Sequence, residues 1–216
     1  MTLQTNYQRL QDNLAYLKLK QCMLHLDETI ELANTQSLSH IEWLLKLSDY
    51  EVDIKRQNVI NHMVKISNFP HLKTLADFEF SFQPQINEMQ IKDLASLGFM
   101  EQAENIVFLG SSGVGKTHLA TSLGIESSRN RRSTYFIKCH DLIQNRKSAK
   151  DEGRLETRLK HYARYQLLII DEIGYLPLQH DERVANAIVD RLLHHAHVIS
   201  ITGDSYRLRN HMQQKE

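Results

Sequence analysis

Eight consecutive residues, Gly110 to Thr117, have the spacing of a phosphate-binding loop. Their order, Gly-Ser-Ser-Gly-Val-Gly-Lys-Thr, fits the pattern G-x-x-x-x-G-K-[ST]. In that pattern the glycines let backbone N–H groups turn toward phosphate oxygens, Lys116 reaches the terminal phosphates, and Thr117 holds Mg²⁺. The predicted binding residues are Gly110, Ser111, Ser112, Gly113, Val114, Gly115, Lys116, Thr117 and the following His118.

Two adjacent carboxylates, Asp171 and Glu172, form the second reactive stretch. They follow Leu-Leu-Ile-Ile, a run typical of a strand buried on both faces of a parallel sheet. Ligands of such sheets bind at the carboxyl ends of the strands, so both acids are expected beside the phosphate loop. Asp171 would then orient Mg²⁺, and Glu172 would polarise an attacking water. Alone, such a strand could simply end in acids at a solvent edge, but the loop upstream favours the functional interpretation.

The elements around these residues predict an α/β domain with a parallel sheet. Strands are expected at 105–109, 133–138, 166–170 and 198–201, with helices after the loop, over 141–165 and over 181–195. From residue 70 to 104, Phe78, Phe80 and Phe82 alternate as in an extended segment, and a helix over 86–97 should end at Gly98. The phenylalanines could pack on the core, or residues 74–80 could lie near an adenine ring.

The first 69 residues predict a separate helical region, which leaves 70–216 for the α/β domain. Apolar residues at helical spacing indicate three helices, the first with Leu10, Leu14 and Leu17 on one face. The third should begin at the capping box Ser39-His-Ile-Glu42 and end at Phe69-Pro70. This region could bind DNA or a protein partner, or could serve only for packing.

Composition excludes several classes of protein. Lys plus Arg and Asp plus Glu number 26 each, so no global charge argues for nucleic acid. No apolar run reaches 18 residues and no signal peptide is recognisable, which predicts a soluble, cytoplasmic protein without a membrane partner. Neither the two cysteines nor the histidines near residue 195 have the spacing of a metal site. The basic residues of 141–165 could contact a nucleic-acid backbone or form a solvated helix face.

Three stretches carry a resemblance to a known family. Residues 109–120, 168–178 and 190–209 resemble the IstB-type ATPases of insertion sequences, which are AAA+ proteins similar to the DnaC helicase loaders. The resemblance implies a P-loop AAA+ three-layer sandwich preceded by an N-terminal helical region that binds DNA. Further implications are ATP and Mg²⁺ as cofactors, a homo-oligomer on double-stranded DNA, and delivery of that DNA to a transposase. It also implies that Arg191 is an arginine finger acting across a subunit boundary and that Arg207 is the second sensor arginine.

The sequence departs from the family's pattern after Glu172. Members have two further strands there, whereas this chain shows only 198–201 and is shortened between about 178 and 190. The sheet is therefore expected to be short of the strand between the phosphate-loop strand and the Asp-Glu strand. Either residues 198–201 move inward, or backbone groups stay unpaired at about 1–3 kcal/mol each. Hydrolysis is then doubtful, and the alternatives are a DnaC-like helicase loader or a catalytically dead remnant that binds DNA or joins an intact paralogue.

Overall fold

The computed structural model describes residues 3–173, 193 and 195–206, and the chain folds as two compact units. The first unit comprises residues 1–61 and the second residues 62–216. The division falls inside the longest helix, before the boundary at residue 69 that the sequence predicts. Each unit is described by itself.

The first unit is helical. Its helices are α1 (Leu3–Tyr16), α2 (Lys20–Leu24), α3 (Leu26–Gln36) and α4 (His40–Ile66). The predicted second helix is divided at His25, which ends α2 and precedes α3. The predicted capping box forms: the Glu42 N–H donates to Ser39 Oγ at 3.3 Å, and the Ser39 N–H donates to the Glu42 carboxylate at 2.8 Å.

The core of the first unit is small and includes one buried carboxylate. Its buried apolar residues are Leu14, Cys22, Leu26 and Leu47. Glu51 of α4 is also buried and accepts the backbone N–H of Gln21 at 2.8 Å, at the start of α2. It therefore satisfies a donor that has no partner within the helix. Of the three leucines predicted for the first helix, only Leu14 is buried. Leu10 is 38% exposed, and Leu17, which follows the end of α1, is 60% exposed.

The second unit alternates helices and strands. Its elements after α4 are α5 (Glu88–Ala95), α6 (Gly98–Glu101), β1 (Asn105–Gly110), α7 (Lys116–Arg129), β2 (Thr134–Lys138), α8 (Cys139–Asp151), α9 (Leu155–Ala163), β3 (Leu167–Asp171) and β4 (Ala196–Ile201). All four predicted strands are present. The predicted helix over 181–195 lies almost wholly outside the described residues.

The four strands form two separate parallel pairs. β1 pairs with β4 from Asn105↔Ala196 to Gly110↔Ile201, and β2 pairs with β3 over five residue pairs from Thr134↔Leu167. No ladder joins the two pairs within the part of the chain that the structure describes, and β4 pairs there with β1 rather than with β3. The expectation of a short sheet is therefore confirmed. The residues of β1 and β3 are mostly half-buried.

Helix α7 holds the two strand pairs together, because it packs against β1, β2 and β3. Gly124 allows the close approach to β3. A Cβ there would lie 2.6 Å from Cδ1 of Ile169 and 2.7 Å from Cε1 of Phe69. Leu119 and Leu123 of the same helix join the main core, whose other buried members are Ile86, Ile91, Leu94, Leu97, Phe99, Val114, Ile199 and Ile201.

Three local predictions are wrong. The helix expected over 141–165 is interrupted between α8 and α9, where Gly153 has φ +69°. Gly98 begins α6 instead of ending the preceding helix, and Leu97 takes the left-handed conformation that closes α5. The phenylalanine segment forms two 3₁₀ turns, Leu75–Asp77 and Phe80–Phe82, instead of an extended run. Phe78 and Phe80 pack against the main core, as one of the two interpretations of that segment required.

Candidate nucleotide site

The phosphate loop begins at Gly110, the last residue of β1. Any other residue at this position would be strained. Gly110 has φ +150°, and a Cβ there would lie 2.2 Å from the carbonyl oxygen of Ile201 on β4. Gly113 and Gly115 also have positive φ, +83° and +101°. Val114, between them, is 1% exposed and belongs to the main core. One buried side chain therefore anchors a loop whose glycines shape its backbone.

Lys116 bonds to the loop itself. Its Nζ donates to the carbonyl oxygens of Gly110 at 2.9 Å and Ser111 at 2.6 Å. The ammonium group is thus held at the loop, where phosphate oxygens can replace the carbonyls as acceptors in charge-assisted hydrogen bonds.

Thr117 and Asp171, 54 residues apart in sequence, meet as predicted. Thr117 Oγ1 donates to the Asp171 carboxylate, at 3.0 Å from Oδ2 and 3.2 Å from Oδ1. Thr117 lies in the first turn of α7 and Asp171 ends β3, so α7 spans the two strand pairs at this point. A hydroxyl and a carboxylate are hard oxygen donors, and this donor set suits Mg²⁺.

Glu172 lies beside the loop but is bound to a lysine. Its carboxylate accepts from Lys138 Nζ at 3.1 Å, with the glutamate side chain 45% exposed and the lysine side chain 50% exposed. Glu172 has φ +62°, which is uncommon for a residue other than glycine. Lys138 is a site residue that the sequence analysis did not identify. The sequence did contain a signal for it. Lys138 ends the predicted strand 133–138, and neighbouring parallel strands end at the same edge of the sheet.

His118 connects the start of α7 to the segment before α5. Its Nε2 donates to the carbonyl oxygen of Thr74 at 2.8 Å, and its ring lies 5.2 Å from the ring of Phe78 and 5.7 Å from that of His71. A Cβ on Gly115 would lie 2.6 Å from Cε2 of Phe78. The segment from His71 to Phe78 therefore covers the junction of the loop and α7 with aromatic rings.

Two titratable groups in this segment are perturbed. Burial, and secondarily the charge of His118, lower the pKa of His71. The backbone N–H and the hydroxyl of Thr74 donate to the Asp77 carboxylate at 2.7 and 2.8 Å and hold the pKa of Asp77 below its usual value.

The chain that follows β4 returns to the loop. The backbone N–H of Tyr206 donates to the carbonyl oxygen of Gly113 at 3.0 Å, and the amide of Gln83 donates to the carbonyl oxygen of Asp204 at 3.0 Å. No role for Tyr206 or Asp204 is predicted from the sequence, because a backbone contact leaves no mark on residue type.

The remaining predicted site residues, Arg191 and Arg207, lie outside the described residues, as does His194. His197 lies in β4, and its Nε2 is 2.8 Å from the Glu104 carboxylate. Residues 3–173, 193 and 195–206 contain no cluster of histidine, cysteine or acidic side chains suited to a metal ion. Within the same residues, no helix has the length and apolar character needed to cross a membrane.

The loop, the paired acids and the parallel strands define a phosphate-loop nucleotide-binding protein with an AAA+ fold. The fold is shared with a solved structure, AMPPCP-bound DnaA from Aquifex aeolicus, at a TM-score of 0.50. That match covers 68% of this chain and 49% of the DnaA chain, at 18% identity. At this level of identity the similarity concerns the fold alone.

The chain belongs to the family of IstB-like ATP binding proteins, whose pattern matches residues 12–184 and 178–214. It is 50% identical to an ATP-binding protein of insertion sequence IS232 from Bacillus thuringiensis subsp. berliner, over 99% of each chain. It is 36% identical to the corresponding IS5376 protein of Geobacillus stearothermophilus, over 86% of this chain and 88% of that one. The predicted resemblance is confirmed, and ATP is the nucleotide.

The alignment with the IS232 protein is longer than this chain. It extends over 248 residues, which exceeds the 216 residues of the chain by 32. The family pattern also matches in two parts that meet at residues 178–184, between β3 and β4.

Proposed function

We propose that this ATP-binding protein assists the transposase of an insertion sequence and hydrolyses ATP with Mg²⁺ at the site described above. The observation that carries the proposal is the contact of Thr117 with Asp171 at 3.0 Å. It joins the phosphate loop to the strand whose end carries Glu172, which supports a shared site for phosphoryl transfer to water.

Each residue would have a separate task in hydrolysis. Thr117 and Asp171 would hold Mg²⁺, which supplies charge neutralisation at the phosphates when bound. Lys116 would exchange its two carbonyl acceptors for phosphate oxygens and stabilise the charge that develops on them. Glu172 would accept the proton of the attacking water once its carboxylate leaves Lys138. The rings of His71, Phe78 and His118 would provide the surface for the adenine base.

Assembly would complete the site. By family resemblance, Arg191 would act as a finger on the nucleotide of a neighbouring copy and Arg207 as the second sensor arginine. A finger supplied by a neighbour requires a homo-oligomer.

Double-stranded DNA would bind the basic surface of α8 and α9. Arg146, Lys150 and Arg158 are exposed and form no ion pair within the part of the chain that the structure describes. Arg154 and Lys160 instead pair with Glu152 and Glu156. Three such cations on α8 and α9 would bind phosphates of the DNA backbone. The DNA would be released to the transposase in a later step.

The nucleotide site is tested by ATP binding and phosphate release. Lys116→Ala should abolish binding of a fluorescent ATP analogue, whereas Lys92→Ala, an exposed lysine paired with Glu88 in α5, should leave it unchanged. Glu172→Gln should keep binding and remove phosphate release. Binding that survives Lys116→Ala would refute the site.

The DNA surface is tested by fluorescence anisotropy with a labelled duplex at several salt concentrations. Replacing Arg146, Lys150 and Arg158 by alanine should weaken binding for all sequences alike. The slope of log affinity against log salt should fall by about 0.9 for each phosphate that the protein no longer neutralises. Lys92→Ala is again the matched control. An unchanged salt slope would place the DNA on another surface.

One observation favours a second candidate, a binder of ATP and DNA that does not hydrolyse ATP. Among the described residues, β1 and β3, which carry the reactive stretches, have no strand between them that pairs with both. Such a protein would show no phosphate release with or without DNA and would inhibit an intact paralogue on mixing. A DnaC-like helicase loader would instead be recognised by capture of a replicative helicase rather than a transposase.

A further inference from the structure

Gln83 is a buried polar residue outside the predicted nucleotide site, and it is only 3% exposed. It follows the second 3₁₀ turn, where its N–H donates to Phe80 O at 3.0 Å and its carbonyl oxygen accepts from the N–H of Ile86 at 3.0 Å. Its backbone is thus bonded within its own segment. A buried side-chain amide needs partners of its own, so the contacts of this amide show what the residue holds in place.

The side chain of Gln83 contacts the chain that follows β4. Its Nε2 donates to the carbonyl oxygen of Asp204 at 3.0 Å, although the two residues are 121 positions apart in sequence. Gly203 lies directly against the same amide, because a Cβ there would be 2.5 Å from Oε1 of Gln83. The amide therefore fits against two consecutive residues of that chain.

Two further contacts lie on either side of Gln83 and join the same stretches of chain. The hydroxyl of Thr202 donates to the side-chain oxygen of Gln85. The ring of Tyr206 meets the ring of Phe82 edge-on, with 5.2 Å between the ring centres. Residues 202–206, here called the clasp segment, are thus fastened to residues 82–85 along their whole length.

The clasp segment is in turn fastened to the phosphate loop. The N–H of Tyr206 donates to the carbonyl oxygen of Gly113 at 3.0 Å. Ser205 packs on the same glycine so closely that a Cβ on Gly113 would overlap the Ser205 hydroxyl. The loop is therefore held at Gly113 by a segment whose own position depends on Gln83.

We propose that Gln83 is a positioning residue for the phosphate loop and acts on Gly113 through the clasp segment. A loop with three glycines has many backbone conformations, and fixing it on phosphate costs conformational entropy. Contacts that hold Gly113 before the nucleotide arrives reduce this cost and so raise the affinity for ATP. This role rests on ATP binding at the loop, as proposed above, and does not require hydrolysis.

The role of Gln83 is tested first by nucleotide affinity. Gln83→Leu keeps most of the side-chain volume but cannot donate to Asp204. It should weaken binding of a fluorescent ATP analogue by roughly two- to tenfold, as expected for one lost hydrogen bond. Inorganic tripolyphosphate, measured by competition with the analogue, should lose affinity by a similar factor because the loop itself is affected. Gln90→Leu, the same change at an exposed glutamine of α5, is the matched control and should bind as the wild type does.

A second variant tests the same contact from the other side. Gly203→Ala places a methyl group against the Gln83 amide and should also weaken binding, and it replaces Gln83→Leu if that variant does not fold. Since both changes break one contact, the loss of affinity in the double variant should be smaller than the sum of the two single losses, expressed as free energies. Additive losses would overturn the proposal.

Hydrogen exchange without nucleotide separates positioning from general destabilisation. In Gln83→Leu the amide of Tyr206 should exchange faster by roughly twofold or more, because its bond to Gly113 opens more often. The amide of Phe136, which donates to Ser67 O at 2.8 Å elsewhere in the same unit, should keep its rate. An unchanged rate at Tyr206, or equal acceleration of both amides, would overturn the proposal.

Failure of this role and failure of the nucleotide site give different results. A wild-type chain that does not bind the ATP analogue would refute the site and the role of Gln83 with it. A wild-type chain that binds, beside a folded Gln83→Leu variant that binds equally well, would refute the role of Gln83 alone.

Discussion

Replacement of Gly110 by alanine should destabilise the second unit and weaken ATP binding together. The new Cβ would lie 2.2 Å from the carbonyl oxygen of Ile201, a backbone atom that cannot rotate away. The φ of +150° adds a conformational cost of order 1–3 kcal/mol for a residue with a side chain. Relief of the overlap requires β1 and β4 to separate at their last residue pair, which costs a ladder hydrogen bond of about 0.5–1.5 kcal/mol.

The combined cost is about 1.5–4.5 kcal/mol, against about 5–15 kcal/mol for a typical domain. Gly110→Ala should therefore still fold, with a lower thermal midpoint and a smaller rise in that midpoint when ATP and Mg²⁺ are added. The assay is thermal unfolding followed by circular dichroism, with and without nucleotide.

Substitutions at two other glycines distinguish the steric cost of the new Cβ from the conformational cost of a positive φ. Gly153 has φ +69° but no atom within 4 Å of a Cβ, so Gly153→Ala measures the conformational cost alone. Gly98 has ordinary φ, and the nearest atom to a Cβ is 3.7 Å away, so Gly98→Ala should be neutral or stabilising by about 0.4–1 kcal/mol. If Gly110→Ala destabilises the chain no more than Gly153→Ala does, the overlap with Ile201 contributes nothing, and the steric origin of the effect is refuted.

Two further predictions concern charge. Lys138→Met should raise phosphate release that depends on Glu172 by up to about fivefold, because an exposed ion pair is worth about 0.2–1 kcal/mol. Lys138→Arg is the control. Equal rates for both variants would show that the ion pair with Lys138 does not hold Glu172 back. Because burial lowers the pKa of His71, the unfolded chain takes up a proton on this histidine at a higher pH than the folded chain does. His71 therefore reduces stability as the pH falls below about 6.5. Replacing His71 by glutamine should lessen the drop in thermal midpoint between about pH 7.5 and 5.5. The same change at the exposed His62 is the control and should leave the drop as it is. An unaltered drop in both variants would show that His71 does not contribute to the pH dependence of stability.

Much of the site could be predicted from sequence because its signals are local. The loop from Gly110 to Thr117 lies within one stretch, and the acids at 171 and 172 follow a recognisable strand. The rule that parallel strands end at the same edge was sufficient to bring Thr117 to Asp171. Lys138 was missed because its role depends on strand register, which pairs it with Asp171 and so places it beside Glu172.

The helical predictions failed where local and tertiary preferences differ. Gly153 interrupts a charged run whose composition favours one long helix, since its left-handed backbone turns the chain between α8 and α9. The phenylalanine segment alternates as a strand would, but it forms two 3₁₀ turns. Phe78 and Phe80 pack against the main core, and the ring of Phe78 also contacts the ring of His118 in α7.

By itself, the sequence determined that this chain binds ATP and that its sheet is short of a strand, and it predicted which residues contact the phosphates. These properties follow from residue types at fixed spacing along the chain. Only the tertiary structure decided how the strands are arranged: within the described residues they form two parallel pairs, joined by α7, and the residues of β1 and β3 are mostly half-buried. The physical reason is that hydrogen bonds between strands depend on which backbones lie side by side, and that choice is made by packing across the whole unit.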